Sequence, residues 1–201
     1  MTLERLVLAT ANAGKVRELR ALVAEWGRPI EVHTLADVSS VPLPEETGET
    51  YADNAILKAH AVAAATGLPA LADDSGIEVD ALGAAPGVRS ARWAESEAAR
   101  NAKLLDALAG RPAGERGARY RAVVALAFPD GRVLTGDGTC TGRIAEVPRG
   151  SGGFGYDPLF IADELDGRTC GEVSAADKAR VSHRARAVRD LGRVLRERGI
   201  L

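Results

Sequence analysis

The chain has 201 residues, 46% hydrophobic and 27% charged, with 28 acidic against 26 basic side chains and a formal charge of −2. That is the composition of a folded globular domain, and so small a net charge supplies no field toward nucleic acid or a membrane surface. The longest apolar runs, 61–65 and 123–128, are too short to span a bilayer.

Residues 3–10, centred on Leu6-Val7-Leu8-Ala9, read as a short buried strand. Val16, Leu19, Leu22, Val23 and Trp26 recur at helical spacing, so a helix is expected over 16–26, stopped by Gly27 and Pro29. A second strand is expected at 30–33, then an acidic loop over 35–49. Thr50 with Asp53 makes a variant capping box, opening a helix that runs through Ile56, Leu57, Ala61 and Val62 to a stop at Gly67. Residues 69–73 read as a short strand ending in acid, 77–79 as extended chain, 95–108 as a helix and 110–117 as a polar connector. The segment 118–128 alternates and then becomes continuously apolar. Pro129-Asp130-Gly131 is a hairpin signal and 132–141 its return strand. Beyond Ser174 the chain reads as helical, with Ser174 and Asp177 as one capping box and Ser182 as a second start. Between 178 and 198 eight Lys or Arg residues meet only Asp190 and Glu197, the pattern of a solvated helix face. Strands alternating with helices, followed by a hairpin, predict one mixed α/β domain without linkers or repeats. Residues 1–5 carry no basic-then-apolar leader, which predicts a cytoplasmic protein. Cys140 and Cys170 stand without a partner motif, which predicts two ordinary thiols.

Several segments carry residues suited to chemistry. Thr10-Ala11-Asn12-Ala13-Gly14-Lys15 joins the first strand to the first helix. Such a turn aims backbone N–H groups and the positive end of the helix dipole at one spot, which suits an anion. It is not a Walker loop, because Ala9 stands where the first glycine belongs and Val16 follows the lysine. Asp73 and Asp74 are adjacent in extended chain, so their side chains point oppositely and do different work. A carboxylate there suits a magnesium ligand or a base that orients water. Glu45 and Glu46 form a second acidic pair, and magnesium needs only one or two protein carboxylates when phosphates complete its shell. Asn54 and Lys58, four apart on a helix, either line a site or face solvent. Ser151-Gly152-Gly153-Phe154-Gly155-Tyr156-Asp157-Pro158 combines backbone donors, rings and a carboxylate, which suits a nucleotide or an ordinary tight turn. His183 and Arg184 lie near a helix start, and a guanidinium suits carbonyl oxygens or phosphate. His33 and His60 have no partner at metal spacing.

In order along nearly the whole chain, the segments 8–15, Glu45-Glu46-Thr47-Gly48, 54–59, Ala72-Asp73-Asp74-Ser75-Gly76, 85–92, 152–158 and Ser182-His183-Arg184 resemble the inosine triphosphate pyrophosphatase family. The resemblance implies an elongated mixed α/β sheet with flanking helices, two lobes around a deep central cleft, and a homodimer. It implies a magnesium-dependent hydrolase that converts inosine, deoxyinosine and xanthosine triphosphates to monophosphate and pyrophosphate, cleansing the nucleotide pool. By position, Thr10, Ala11, Asn12, Ala13, Gly14 and Lys15 would hold the triphosphate. Asp74 would be general base and metal ligand, with Glu45 the second ligand, and Ser75 would contact substrate. Phe154, Gly155, Tyr156 and Asp157 would hold base and sugar, with Phe154 stacking. Lys178, His183 and Arg184 would close the site, Arg184 near the base oxygens. Many relatives carry glycine where this chain has Ala11.

Overall fold

A computed structural model describes residues 2–38 and 41–201. Its strands are β1 (Arg5–Leu8), β2 (Glu31–Thr34), β3 (Ala70–Val79), β4 (Gly117–Ala127), β5 (Val133–Ile144) and β6 (Phe160–Ala162), in the sheet order β2-β1-β3-β4-β5-β6. The helices are α1 (Ala13–Ala24), α2 (Tyr51–Thr66), α3 (Glu97–Ala107), α4 (Ala175–Val181) and α5 (His183–Glu197). β1 runs parallel to both β2 and β3, whereas β6 is antiparallel to β5. The sheet is therefore mixed, with flanking helices. No helix among the described residues is long and apolar enough to cross a membrane.

Contacts group the chain into two compact units. The first is Met1–Asp74, Ala122–Gly138 and Arg184–Leu201; the second is Ser75–Arg121 and Thr139–His183. The first has a core of Leu6, Leu8, Leu19, Leu22, Trp26, Val124, Leu126, Val188, Leu191 and neighbours. There the Trp26 indole N–H donates to the Val188 carbonyl at 3.1 Å, so this ring is buried without an orphaned donor. The second core gathers Ile77, Val79, Leu104, Leu108, Tyr156, Leu159 and Phe160. Cys140 and Cys170 are both buried.

Local chemistry sets most element ends. Asn12 accepts the Lys15 N–H at 3.0 Å, so α1 begins at Ala13, ahead of its apolar stripe. Thr50 and Asp53 close the expected capping box on α2, and Gly67 ends that helix at φ 66°, where a side chain would be strained. Ser174 caps α4 by accepting the Asp177 N–H. Ser182 terminates α4, and α5 starts at His183. The main departure is β3. A short strand over 69–73 and extended chain over 77–79 are expected, and the chain is one strand through both, Ala70–Val79. Asp, Ser and Gly favour turns only where nothing else engages them. Here pairing with β1 and partners for the carboxylates hold the chain extended, and tertiary context overrides propensity. β6 has three residues, too few to display a period.

Candidate active site

In the first unit the parallel pairing of Val7 with Ala70 and Leu8 with Leu71 brings the exit of β1 alongside the carboxyl-terminal continuation of β3. That is where open α/β sheets place ligands. The 10–15 turn and Asp73-Asp74 consequently meet. The Lys15 ammonium lies 3.1 Å from Asp73 Oδ2. Arg184, 1% exposed, donates from Nε to the same oxygen at 2.9 Å, and its Nη1 pairs with Glu18. Burial pushes the Asp73 carboxyl up, but Arg184, then Lys15 and Lys58, outweigh it and hold it well below the usual carboxylate range. Burial also draws the Lys15 ammonium below the usual lysine range, against the pull of Asp73.

Strand alternation turns Asp74 to different partners, as the extended chain predicts. Its Oδ2 accepts the Asn54 amide at 3.0 Å, and its Oδ1 lies 3.8 Å from the Lys58 ammonium. Lys58 also donates to the Asp73 carbonyl at 2.8 Å and pairs with Glu46. Burial raises the Asp74 pKa; Lys58 lowers it and Glu46 raises it, leaving the carboxyl above its usual value. Asn54 and Lys58 therefore line a site rather than face solvent, both buried on one face of α2. The Asn54 carbonyl oxygen accepts the Gly48 N–H at 2.8 Å. A Cβ at Gly48 would sit 2.5 Å from Asp53 Cβ and 2.7 Å from that oxygen, so only glycine lets the 45–48 loop lie against α2. Glu46 is the acid this loop presents to the cluster, and Glu45 is exposed.

Thr10 is buried and accepts the Asn12 N–H at 3.2 Å. Ala11, Asn12 and Ala13 are exposed, and Gly14 is half-buried. The guanidinium of Arg184 is engaged by two carboxylates, those of Asp73 and Glu18.

The second unit holds the other expected residues. The Asp157 carboxylate accepts the Phe154 N–H at 2.8 Å and the Lys178 ammonium at 2.6 Å. The same ammonium lies 4.6 Å from the centre of the half-buried Phe154 ring, a cation–π contact that holds the ring. Gly153 has φ 73°, and a Cβ there would collide with the Asp157 carboxylate. Tyr156 is a core residue: its phenol donates to the Ser90 carbonyl at 2.9 Å, and burial pushes its pKa up to about 12. Buried His183 stacks on Tyr120 with ring centres 4.5 Å apart and planes 9° apart. Ser75 is half-buried in β3.

Two groups of residues thus emerge: a buried polar cluster on β3, α1 and α2, and an aromatic–cation arrangement around Phe154. Glu18 is the member of the first group that sequence reasoning missed; the acidic pair Glu45-Glu46 and the four-residue spacing of Asn54 and Lys58 are the signals that point to the others.

Comparison with known proteins points the same way. A dITP/XTP pyrophosphatase of Symbiobacterium thermophilum is 51% identical over 189 residues, covering 94% of this chain and 93% of that protein. One of Streptomyces coelicolor is 48% identical, covering 96% and 98%. The solved structure of a HAM1 protein from Coxiella burnetii superposes with a TM-score of 0.85 at 40% identity, covering 97% of this chain and all of that one. The Mycobacterium abscessus structure described as nucleoside-triphosphatase / dITP/XTP pyrophosphatase gives 0.72 at 38%, covering 96% and 97%. With residues 6–194 matching the model of the Ham1 family, this chain belongs to that family.

Proposed function

We propose that this protein hydrolyses non-standard purine nucleoside triphosphates, those of inosine, deoxyinosine and xanthosine, to the monophosphate and pyrophosphate. The observation that carries this is the pair Asp73–Asp74, two adjacent buried carboxylates with opposite environments. Its support is the extensive identity to proteins named dITP/XTP pyrophosphatase.

Asp73, held ionised, is an electrostatic anchor that sets Lys15 and Arg184. Asp74, raised toward neutrality by burial, is the better proton acceptor and serves as general base for the attacking water. That water adds as the anhydride bond to the departing pyrophosphate breaks, and its proton passes to a carboxylate oxygen of Asp74. Lys15 and the N–H groups at the start of α1 draw the phosphate oxygens. Phe154 stacks on the base, with Gly155 and Asp157 about the sugar. Lys178 backs the ring, and Tyr156, His183 and Ser75 support these groups. Arg184 acts by holding Asp73.

Magnesium is the proposed cofactor. Among the described residues no group of three or more His, Cys, Asp or Glu gathers to hold a metal, but a magnesium ion bound with substrate phosphates needs only one or two carboxylates. The donor set fits: Asp74 and Glu46 crowd each other, with Lys58 as the positive charge beside both. Asp74 with a glutamate of the 45–46 pair would hold the ion. Bound there, magnesium would offset charge developing on the phosphates. Rejection of adenine follows from its six-position amine, a donor where hypoxanthine and xanthine present an acceptor; a buried donor left unpaired costs about 1–3 kcal/mol. A role in cleansing the nucleotide pool puts the work in the cytoplasm. The family resemblance supports a homodimer, which light scattering on the purified protein tests.

The deciding experiment is pyrophosphate release from a panel of purine and pyrimidine triphosphates with and without magnesium. Release from inosine and xanthosine triphosphates should be magnesium-dependent and far faster than from ATP or GTP. Equal rates on all would overturn the specificity, and no release would overturn the function.

A further inference from the structure

Asn101 lies on α3, outside every segment that the sequence marks for chemistry. Its side-chain amide donates to the Gly155 carbonyl at 3.1 Å. Gly155 adopts φ 67°, so this bond holds the carbonyl of a left-handed residue next to Phe154. The Asn101 Oδ1 is buried with no hydrogen-bond partner among the described residues. An orphaned buried acceptor is unfavourable, and a side chain kept only for packing would shed it. The donor half of the amide therefore explains why an amide stands here.

The platform behind Asn101 is well braced. Arg100 donates to the Ala91 and Ala94 carbonyls at 3.0 and 3.2 Å, and Lys103 donates to the Trp93 carbonyl at 2.9 Å. Tyr156 ties the far side of the same loop to the Ser90 carbonyl, while the Ser90 hydroxyl accepts the Ile77 N–H at 2.9 Å. The 154–156 turn is thus held at two consecutive residues, Gly155 from α3 and Tyr156 from the 3-10 turn Gly87–Arg92. Lys178 and Asp157 constrain Phe154 from its own side.

We infer that Asn101 is a positioning residue that fixes the Gly155 carbonyl and so presents the Phe154 ring for the purine. This rests on the proposed nucleotide reading of that ring. Loss of one such hydrogen bond corresponds to about a tenfold weakening of a process that depends on it.

Asn101→Ala and the isosteric Asn101→Asp test it, since alanine suits a helix and aspartate keeps the shape while removing the donor. Both should raise KM for inosine triphosphate about tenfold with kcat within about twofold. Asn101→Gln, which keeps a donor amide, should recover part of the loss. Amide hydrogen exchange over 152–157 should accelerate in Asn101→Ala and Asn101→Asp. An unchanged KM, a fall in kcat alone, or unchanged exchange would overturn the inference. An inactive wild-type protein would instead overturn the proposed function, and the exchange comparison would still decide whether Asn101 anchors the loop.

Discussion

Asp73 and Asp74 are neighbours whose neutralisation should move stability in opposite directions. Asp73 answers both Lys15 and Arg184, and Arg184 is otherwise paired through Glu18. Removing one member of a buried pair typically costs about 3–5 kcal/mol. Glu18 remains to answer Arg184 and the amide oxygen can still accept a hydrogen bond, so the lower end, about 3 kcal/mol, applies to Asp73→Asn. At roughly 2–4 °C per kcal/mol for a chain of this size, Tm should fall by about 6–12 °C. The pH dependence follows from the depressed pKa. Asp73 titrates lower in the folded state than in the unfolded chain, where a carboxyl sits near about 3.9. Its contribution is therefore complete above the unfolded pKa and is lost as pH falls through the folded one. The deficit of Asp73→Asn should be full at pH 7 and shrink in acid. Asp74 has the opposite sign: its folded pKa is raised, so its ionised form costs stability above that pKa. Asp74→Asn should hold or raise Tm at pH 7. Thermal denaturation of both variants and wild type across pH, followed by circular dichroism, measures this. An unchanged Tm for Asp73→Asn at pH 7, or equal drops for the two variants, would refute the reasoning.

Asp74→Asn should also lose about 10²–10⁴ in kcat, the usual worth of a general base, with KM little changed in steady-state pyrophosphate assays. In the metal-free protein the Asp74 carboxyl should titrate above an ordinary carboxyl, because burial raises it, which a carbon-detected NMR titration measures; titration in the ordinary range would refute that environment. Neutralising Glu45 and Glu46 together should raise the magnesium needed for half-maximal rate by about tenfold or more, and the single variants identify the ligand; an unchanged requirement would remove the pair from the metal site. Phe154→Ala should lose stacking worth about 1–3 kcal/mol per base, seen as a raised KM, while urea denaturation shows a smaller loss; equal losses would make the ring structural. Thr50→Ala should cost about 1 kcal/mol by urea denaturation through loss of the capping box.

Elements with local causes are legible from residues alone. The capping box at Thr50 and Asp53, the stop at Gly67 and the turn at Pro129-Asp130-Gly131 depend on side chains within a few positions of each other. The apolar stripe of α1 is equally visible, although its start at Ala13 depends on the Asn12 cap rather than on apolar spacing. The extended chain at Asp73-Asp74 is legible, but the unbroken run of strand through Ser75-Gly76 to Val79 is not, because Ser and Gly favour a turn in isolation and only the neighbouring strand makes extension favourable there. β6 is invisible for want of length.

For the candidate site, sequence alone identifies the residue types and, through adjacency in an extended chain, that Asp73 and Asp74 act separately. It does not assign their environments. Whether a carboxyl is pushed down by Arg184 and Lys15 or up by burial depends on groups up to 111 positions away in the chain. The same holds for Arg184, whose pairing with Asp73 and Glu18 no local pattern announces, and for Tyr156, whose burial in the second core is not visible in the glycine-rich segment that carries it. Local hydrogen bonding is encoded in short words of sequence. Burial and charge pairing are properties of the folded neighbourhood, and they decide which of two identical side chains anchors the site and which can take a proton.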